Sequence, residues 1–210
     1  MKGKSTSIEL MVDIKQRSGS FEVMKVLLLL LCSVISMKAI AQELILDTSS
    51  IIRQLSAIRE RDQNIRRYDD SVKFITQVDS ANLVQIEAFI SKYGWPGKSF
   101  VGIEGNYTIW LVIQHSDLAT QEKYLPLLEQ SVKEGESRPQ DLAYLTDRIL
   151  MRKGKPQIYG TQLWSNQGVW EFWKIEDEKN VNERRKRAGL GSIEEYANLV
   201  GIEYKPHTEN

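Results

Sequence analysis

Cysteine is nearly missing from this chain: Cys32 is the only one in 210 residues, and it lies inside an apolar run near the N-terminus. Everything from Gln42 onward therefore lacks a disulfide, a thiolate metal site and a thiol nucleophile. A surplus of one charge is missing too, since 28 Lys and Arg stand against 28 Asp and Glu. Nucleic-acid binders carry a basic excess, so DNA and RNA are excluded as leading partners. The most apolar run, VLLLLLCSVISM at 26–37, holds twelve residues, short of the roughly 20 needed to span a bilayer. No dinucleotide fingerprint, zinc-protease helix motif or nucleophile elbow occurs, and no cofactor is implied. Gly94-Trp95-Pro96-Gly97-Lys98-Ser99 looks like a phosphate loop, but only two residues separate its glycines where four are required.

What is present is an ordinary globular composition, 41% hydrophobic and 27% charged, behind a leader. Lys25 precedes the apolar run and Ala39-Ile40-Ala41 follows it, which together form the pattern of a cleavable export signal over 24–41. Gln42 is then the first mature residue. Two alternatives stay open: a lipid anchor on Cys32, although Leu31 stands where processing favours a small residue, and a buried helix of the domain itself. Residues 1–23 are polar and aperiodic, so translation starts at Met24 or at Met1 with a long leader. The expected organisation is 1–41 as extension and signal, 42–204 as a single mainly helical domain without a transmembrane segment, and 205–210 as a polar tail.

Within the domain, Ile51, Leu55, Ile58 and Ile65 recur at helical spacing, with Thr48 or Ser49 as the N-cap. A second helix is expected after Asp79, with Leu83, Ile86, Phe89, Ile90 and Tyr93 inward and Gly94 at its end. Residues 103–115 are apolar on nearly every side, which predicts a central buried helix. Asp117 caps the next, with Tyr124, Leu127, Leu128 and Val132 as its stripe and Pro126 in its first turns. Ser137-Arg138-Pro139-Gln140 reads as a capping box for a helix ending near Gly154. Residues 157–163 and 169–175 read as strands joined through Asn166-Gln167-Gly168. Short helices opened by Asn180-x-x-Glu183 and Ser192-x-x-Glu195 finish a fold that is mainly α with a C-terminal β-hairpin.

Several polar residues sit where a plain core would not want them. Asp62 lies on the apolar stripe, four residues after Ile58, and must be paired if buried. It is either an ion pair with an arginine or a functional carboxylate. His115 ends the most apolar helix among Gln114, Ser116 and Asp117, as a hydrogen-bonded core residue or as an acid–base group. Asp147-Arg148 falls mid-helix, with Arg148 on the face of Tyr144, as a structural bridge or an anion clamp. Alternation places Gln157, Tyr159 and Thr161 on one strand face and Gln162 on the other. Arg184-Arg185-Lys186-Arg187 reads as a solvated helical face.

Gly94-Trp95-Pro96, Gln114-His115-Ser116-Asp117, Leu145-Thr146-Asp147-Arg148 and Gly154-Lys155-Pro156-Gln157-Ile158-Tyr159-Gly160-Thr161-Gln162 together resemble an uncharacterised bacterial domain family of unknown function, over 62–196. That resemblance implies no reaction or substrate. The residues themselves suggest an exported domain whose polar pocket performs acid–base hydrolysis. His115, Asp62 and Asp147 are its catalytic candidates, and Arg148, Gln157, Tyr159 and Gln162 its substrate-binding candidates. A metal on His115 and Asp117 would need further carboxylate ligands, so none is assigned. The partner is a small molecule or an envelope component. The rival is a non-catalytic binding or assembly module of the envelope, with the same residues as a buried network. The leader carries its own test: protein recovered from its native host begins at Gln42 by N-terminal sequencing, whereas a start at Met1 or Met24 refutes the signal.

Overall fold

The computed structural model describes residues 5–68 and 71–204. Two units divide it, Met1–Ser50 and Ile51–Asn210. The first is helical throughout its described residues, and Met24, Leu29, Leu31, Ile35 and Met37 are exposed on it. Among the described residues no helix is long and apolar enough to cross a membrane. The first helix, α1 (Ser5–Tyr68), runs through Thr48 and Ser49, so neither is an N-cap. The reason is visible in the chain: between Gly19 and Gly94 there is no glycine or proline to stop a helix.

In the second unit, α1 lays Ile51, Leu55 and Ile58 into the core against Ile86 and Ile90 of α2 (Val72–Tyr93). That helix begins seven residues ahead of Asp79, whose side chain is engaged elsewhere. Then α3 (Lys98–His115) breaks its helical backbone once, at Gly102, with φ 77° and ψ 168°. The continuous stretch starts at Ile103, as expected, and buries Ile109, Trp110, Leu111, Val112 and Ile113. The Asp117 side chain accepts from Thr120 N at 2.8 Å and caps α4 (Leu118–Lys133). Pro126 falls inside α4 rather than in its first turns. It is exposed, so the carbonyl left without a donor faces solvent.

The expected capping box ahead of α5 (Pro139–Arg152) does not form; Arg138 is the N-cap residue. Ser137 is buried instead, 2.7 Å from the Ser131 hydroxyl and accepting from Asn106 Nδ2 at 2.9 Å. The hairpin is shorter than its apolar pattern. Strands β1 (Leu163–Asn166) and β2 (Val169–Phe172) pair antiparallel, Leu163 opposite Phe172. Gln167 and Gly168 turn the chain, both at positive φ, as a two-residue hairpin loop requires. Residues 157–162 are irregular apart from an isolated bridge between Gln157 and Ile175. Gln157 N donates to Lys174 O, but the amides of Ile158, Tyr159, Thr161 and Gln162 point at side chains instead of a neighbouring strand. Helix α6 (Val181–Arg187) follows a 3-10 turn, and Asn180 bonds to Asp177 rather than capping it. The Ser192–Glu195 box caps α7 (Ile193–Val200) as expected.

Gly102 offers a clean test of the α3 break. Its φ/ψ lies in a region that only glycine occupies readily, yet a Cβ there would meet nothing within 4 Å. Gly102→Ala is expected to cost about 1–3 kcal/mol in denaturant unfolding from backbone strain alone; an unchanged midpoint would show that the break relaxes freely.

Candidate functional site

Three helices bring four side chains to one point. Asp62 on α1 is 1% exposed, and its Oδ1 lies 3.0 Å from His115 Nδ1 at the end of α3. Arg66, one turn further along α1, reaches Asp62 Oδ1 at 3.2 Å and both oxygens of Asp79 on α2 at 2.7 and 3.0 Å. Gln63 Nε2 donates to the other oxygen of Asp62 at 2.8 Å. Gln63 also lines a cleft of about 840 Å³ with Arg59 and Arg67, so the buried carboxylate has a neighbour at the surface. Burial pushes the Asp62 carboxyl up, but His115, Gln63 and Arg66 outweigh it and hold the group below its ordinary value.

Ligand atoms of Asp62, Asp79 and His115 lie within 4.8 Å of one another, close enough to share a cation. Arg66 already supplies a positive charge between the two carboxylates and offsets one of their two negative charges. Asp117 serves as the α4 cap and not beside His115.

Asp147 belongs to a different construction. Its buried carboxylate accepts from Ile158 N at 2.7 Å, Tyr159 N at 3.1 Å, Thr161 N at 3.0 Å and Thr161 Oγ1 at 2.9 Å. Burial pushes this carboxyl up, against the pull of those donors. Gln157 is equally committed: Nε2 donates to Gln162 O at 3.0 Å and Trp173 O at 2.7 Å, and Oε1 accepts from Gln162 N at 2.8 Å. Gln162 Nε2 donates to Thr161 Oγ1 at 3.0 Å. Tyr159 lines a small cleft with Arg184 and Arg187. Thus Asp147, Gln157 and Gln162 lock the segment that follows α5, while Asp62 and His115 meet elsewhere. Arg148 makes no hydrogen bond with Asp147 and takes no part in this lock: it is half-buried, and its Nε has no partner among the described residues.

The basic run is only partly a solvated face. Arg185 is buried and donates to Gly191 O at 2.7 Å and Tyr159 O at 2.8 Å, and Arg184 Nε donates to Ile158 O at 2.8 Å. Lys186 and Arg187 are the exposed members. Arg66 and Asp79 escaped the sequence reading. Arg66 stands four residues after Asp62, the spacing of a helical ion pair, and that signal was available.

The family model of DUF6624, a family of unknown function, matches residues 40–206. The chain belongs to DUF6624. No curated protein and no solved structure was found to match it. The matched range of the DUF6624 domain contains both the Asp62–His115 cluster and the Asp147 lock.

The two constructions respond differently to truncation. Asp147→Ala strands buried amides and is expected to cost about 3 kcal/mol or more, and Gln157→Ala about 2 kcal/mol. His115→Ala leaves Asp62 paired with Arg66 and Gln63, for a loss within about 1 kcal/mol. Denaturant unfolding of the three variants checks this ranking, and an equal loss at His115 would make it one more structural residue.

Proposed function

We propose that this DUF6624 domain is an exported hydrolase in which His115 is the general base and Asp62 its orienting partner. The observation that carries the reading is the 3.0 Å contact between His115 Nδ1 and a carboxylate that is itself almost fully buried and held below its ordinary pKa. An ionised carboxylate can only accept, so Nδ1 must carry the proton. In the neutral imidazole Nε2 then holds the lone pair, and it has no partner among the described residues. A fixed imidazole with one nitrogen anchored and the other free can take a proton from a water or hydroxyl nucleophile. Arg66 and Gln63 keep Asp62 from turning away, so they are positioning residues. Asp147 is less suited to orient His115, because both its oxygens are engaged by 158–161. Export rests on the leader at 24–41.

A binding role is the second reading, and it rests on the hairpin. Leu163, Phe172, Val200, Ile202 and Tyr204 line a groove of about 880 Å³, with Val169 and Trp170 exposed beside it. Apolar surface of this kind marks interaction sites.

Two measurements test the hydrolase reading. Long-range proton–nitrogen spectra of His115 near neutral pH should show Nδ1 protonated and Nε2 bare; the opposite tautomer removes the base. Against a panel of nitrophenyl esters, phosphoesters, glycosides and peptide amides, turnover should fall roughly 10²–10⁴-fold in both His115→Asn and Asp62→Asn. Full activity in either variant, or no turnover of any class by the parent, would overturn hydrolysis at this site.

A further inference from the structure

Helices α3 and α5 face one another through a series of paired contacts that can be followed along both. Arg138, the N-cap of α5, lies over the Tyr107 ring at 4.6 Å. Trp110 meets Tyr144 edge-on with ring centroids 6.3 Å apart. At the far end Arg152 donates to Ser116 O at 2.6 Å. The pairs 107 with 138, 110 with 144 and 116 with 152 advance together, so the two helices run parallel. Arg148, one turn before Arg152, therefore falls opposite Gln114, the neighbour of His115.

At that level the contacts stop being satisfied. Trp110 is 5% exposed, and its indole Nε1 has no hydrogen-bond partner among the described residues. Arg148 Nε is in the same condition. The Gln114 side-chain amide makes no hydrogen bond among the described residues, so it is free to donate. No carboxylate among the described residues compensates Arg148: Asp147 is bound to 158–161, and the charged neighbour that acts on Arg148 is the like charge of Arg152. Burial and Arg152 both pull the Arg148 guanidinium down, with only the Tyr196 phenol opposing them. A half-buried guanidinium without a counter-charge is costly to keep, and so is a buried indole N–H without an acceptor. Two unmet buried donors and one unbalanced positive charge have the same remedy, which is an anion with several acceptor oxygens.

We propose that Trp110, Gln114 and Arg148 form a binding site between α3 and α5 for a small oxyanion, a carboxylate or a phosphate group. The Nε edge of a guanidinium presents two parallel N–H groups to such an anion, and the indole and amide add donors from the opposite helix. Placed beside His115, the site would hold the anionic end of a substrate next to the base. That last point rests on the hydrolase reading; the anion site itself does not.

The test reads binding without turnover. The Trp110 indole resonance, assigned with Trp110→Phe, is followed by proton–nitrogen spectroscopy during titration with sodium acetate and, separately, sodium phosphate. Sodium chloride at the same ionic strength is the control. A saturable shift with acetate or phosphate supports the site, and whichever binds names the class of anion. Arg148→Gln should weaken that binding roughly tenfold or more, while His115→Asn should leave it unchanged and lose only activity. Without added anion, Arg148→Met should raise the unfolding midpoint, because it removes an uncompensated charge; a purely structural arginine would lower it. No saturable shift in the parent protein, an equal shift with chloride, or undiminished binding by Arg148→Gln each overturns the proposal.

Discussion

Asp147 offers one buried carboxylate, on the middle of α5, to the backbone that follows that helix, and three amides and a hydroxyl answer it. Amides committed in this way are unavailable to a sheet, which is why 157–162 is irregular and the hairpin starts only at Leu163. Gln157 continues the arrangement by tying Gln162 to the carbonyl of Trp173, just beyond β2. Arg185 then draws α6 onto the same loop through the carbonyls of Tyr159 and Gly160. Remove the carboxylate and the segment loses the acceptor around which each of these contacts is set. The hairpin and the C-terminal helices are positioned by this lock.

The Asp62 cluster uses the same chemistry to a different end. Its members come from α1, α2 and α3, so it pins a three-helix crossing, but its hydrogen bonds do not close on themselves. Asp62 is buried and fully engaged, while His115 keeps part of its surface and one ring nitrogen free. A network that rigidifies one side of an imidazole and leaves the other open is what an acid–base group needs. Arg148 stands in contrast to both, since nothing among the described residues balances its charge.

Much of this was legible beforehand because it depends on local chemistry. The apolar stripe of α1, the apolar α3, the α4 stripe apart from the exposed Leu127, the Asp117 cap, the Ser192 box and a turn at Gln167-Gly168 each follow from side chains within a few residues of one another. The polar residues out of place on those stripes were legible too, because a carboxylate among isoleucines has to find a partner. Their partners were not. Ser137 looks like a cap in sequence, and only the arrival of Asn106 from α3 draws it into the interior. Arg184 and Arg185 read as surface in a basic run, and the loop carbonyls of 158–160 turn them inward.

The sequence by itself therefore determined the helical character of the chain, the place of the hairpin and the set of residues that could not be ordinary core. Hydrophobic period, capping and turn preference act over one or two turns, and the chain carries them wherever it folds. Only the tertiary structure decided how that set divides: Asp62 with His115 across 53 positions, Asp147 with the loop ahead of the hairpin, Arg148 with no counter-charge among the described residues. Pairing of buried charges is settled by which helix faces meet. That depends on the packing of the whole core, which no local window of sequence contains.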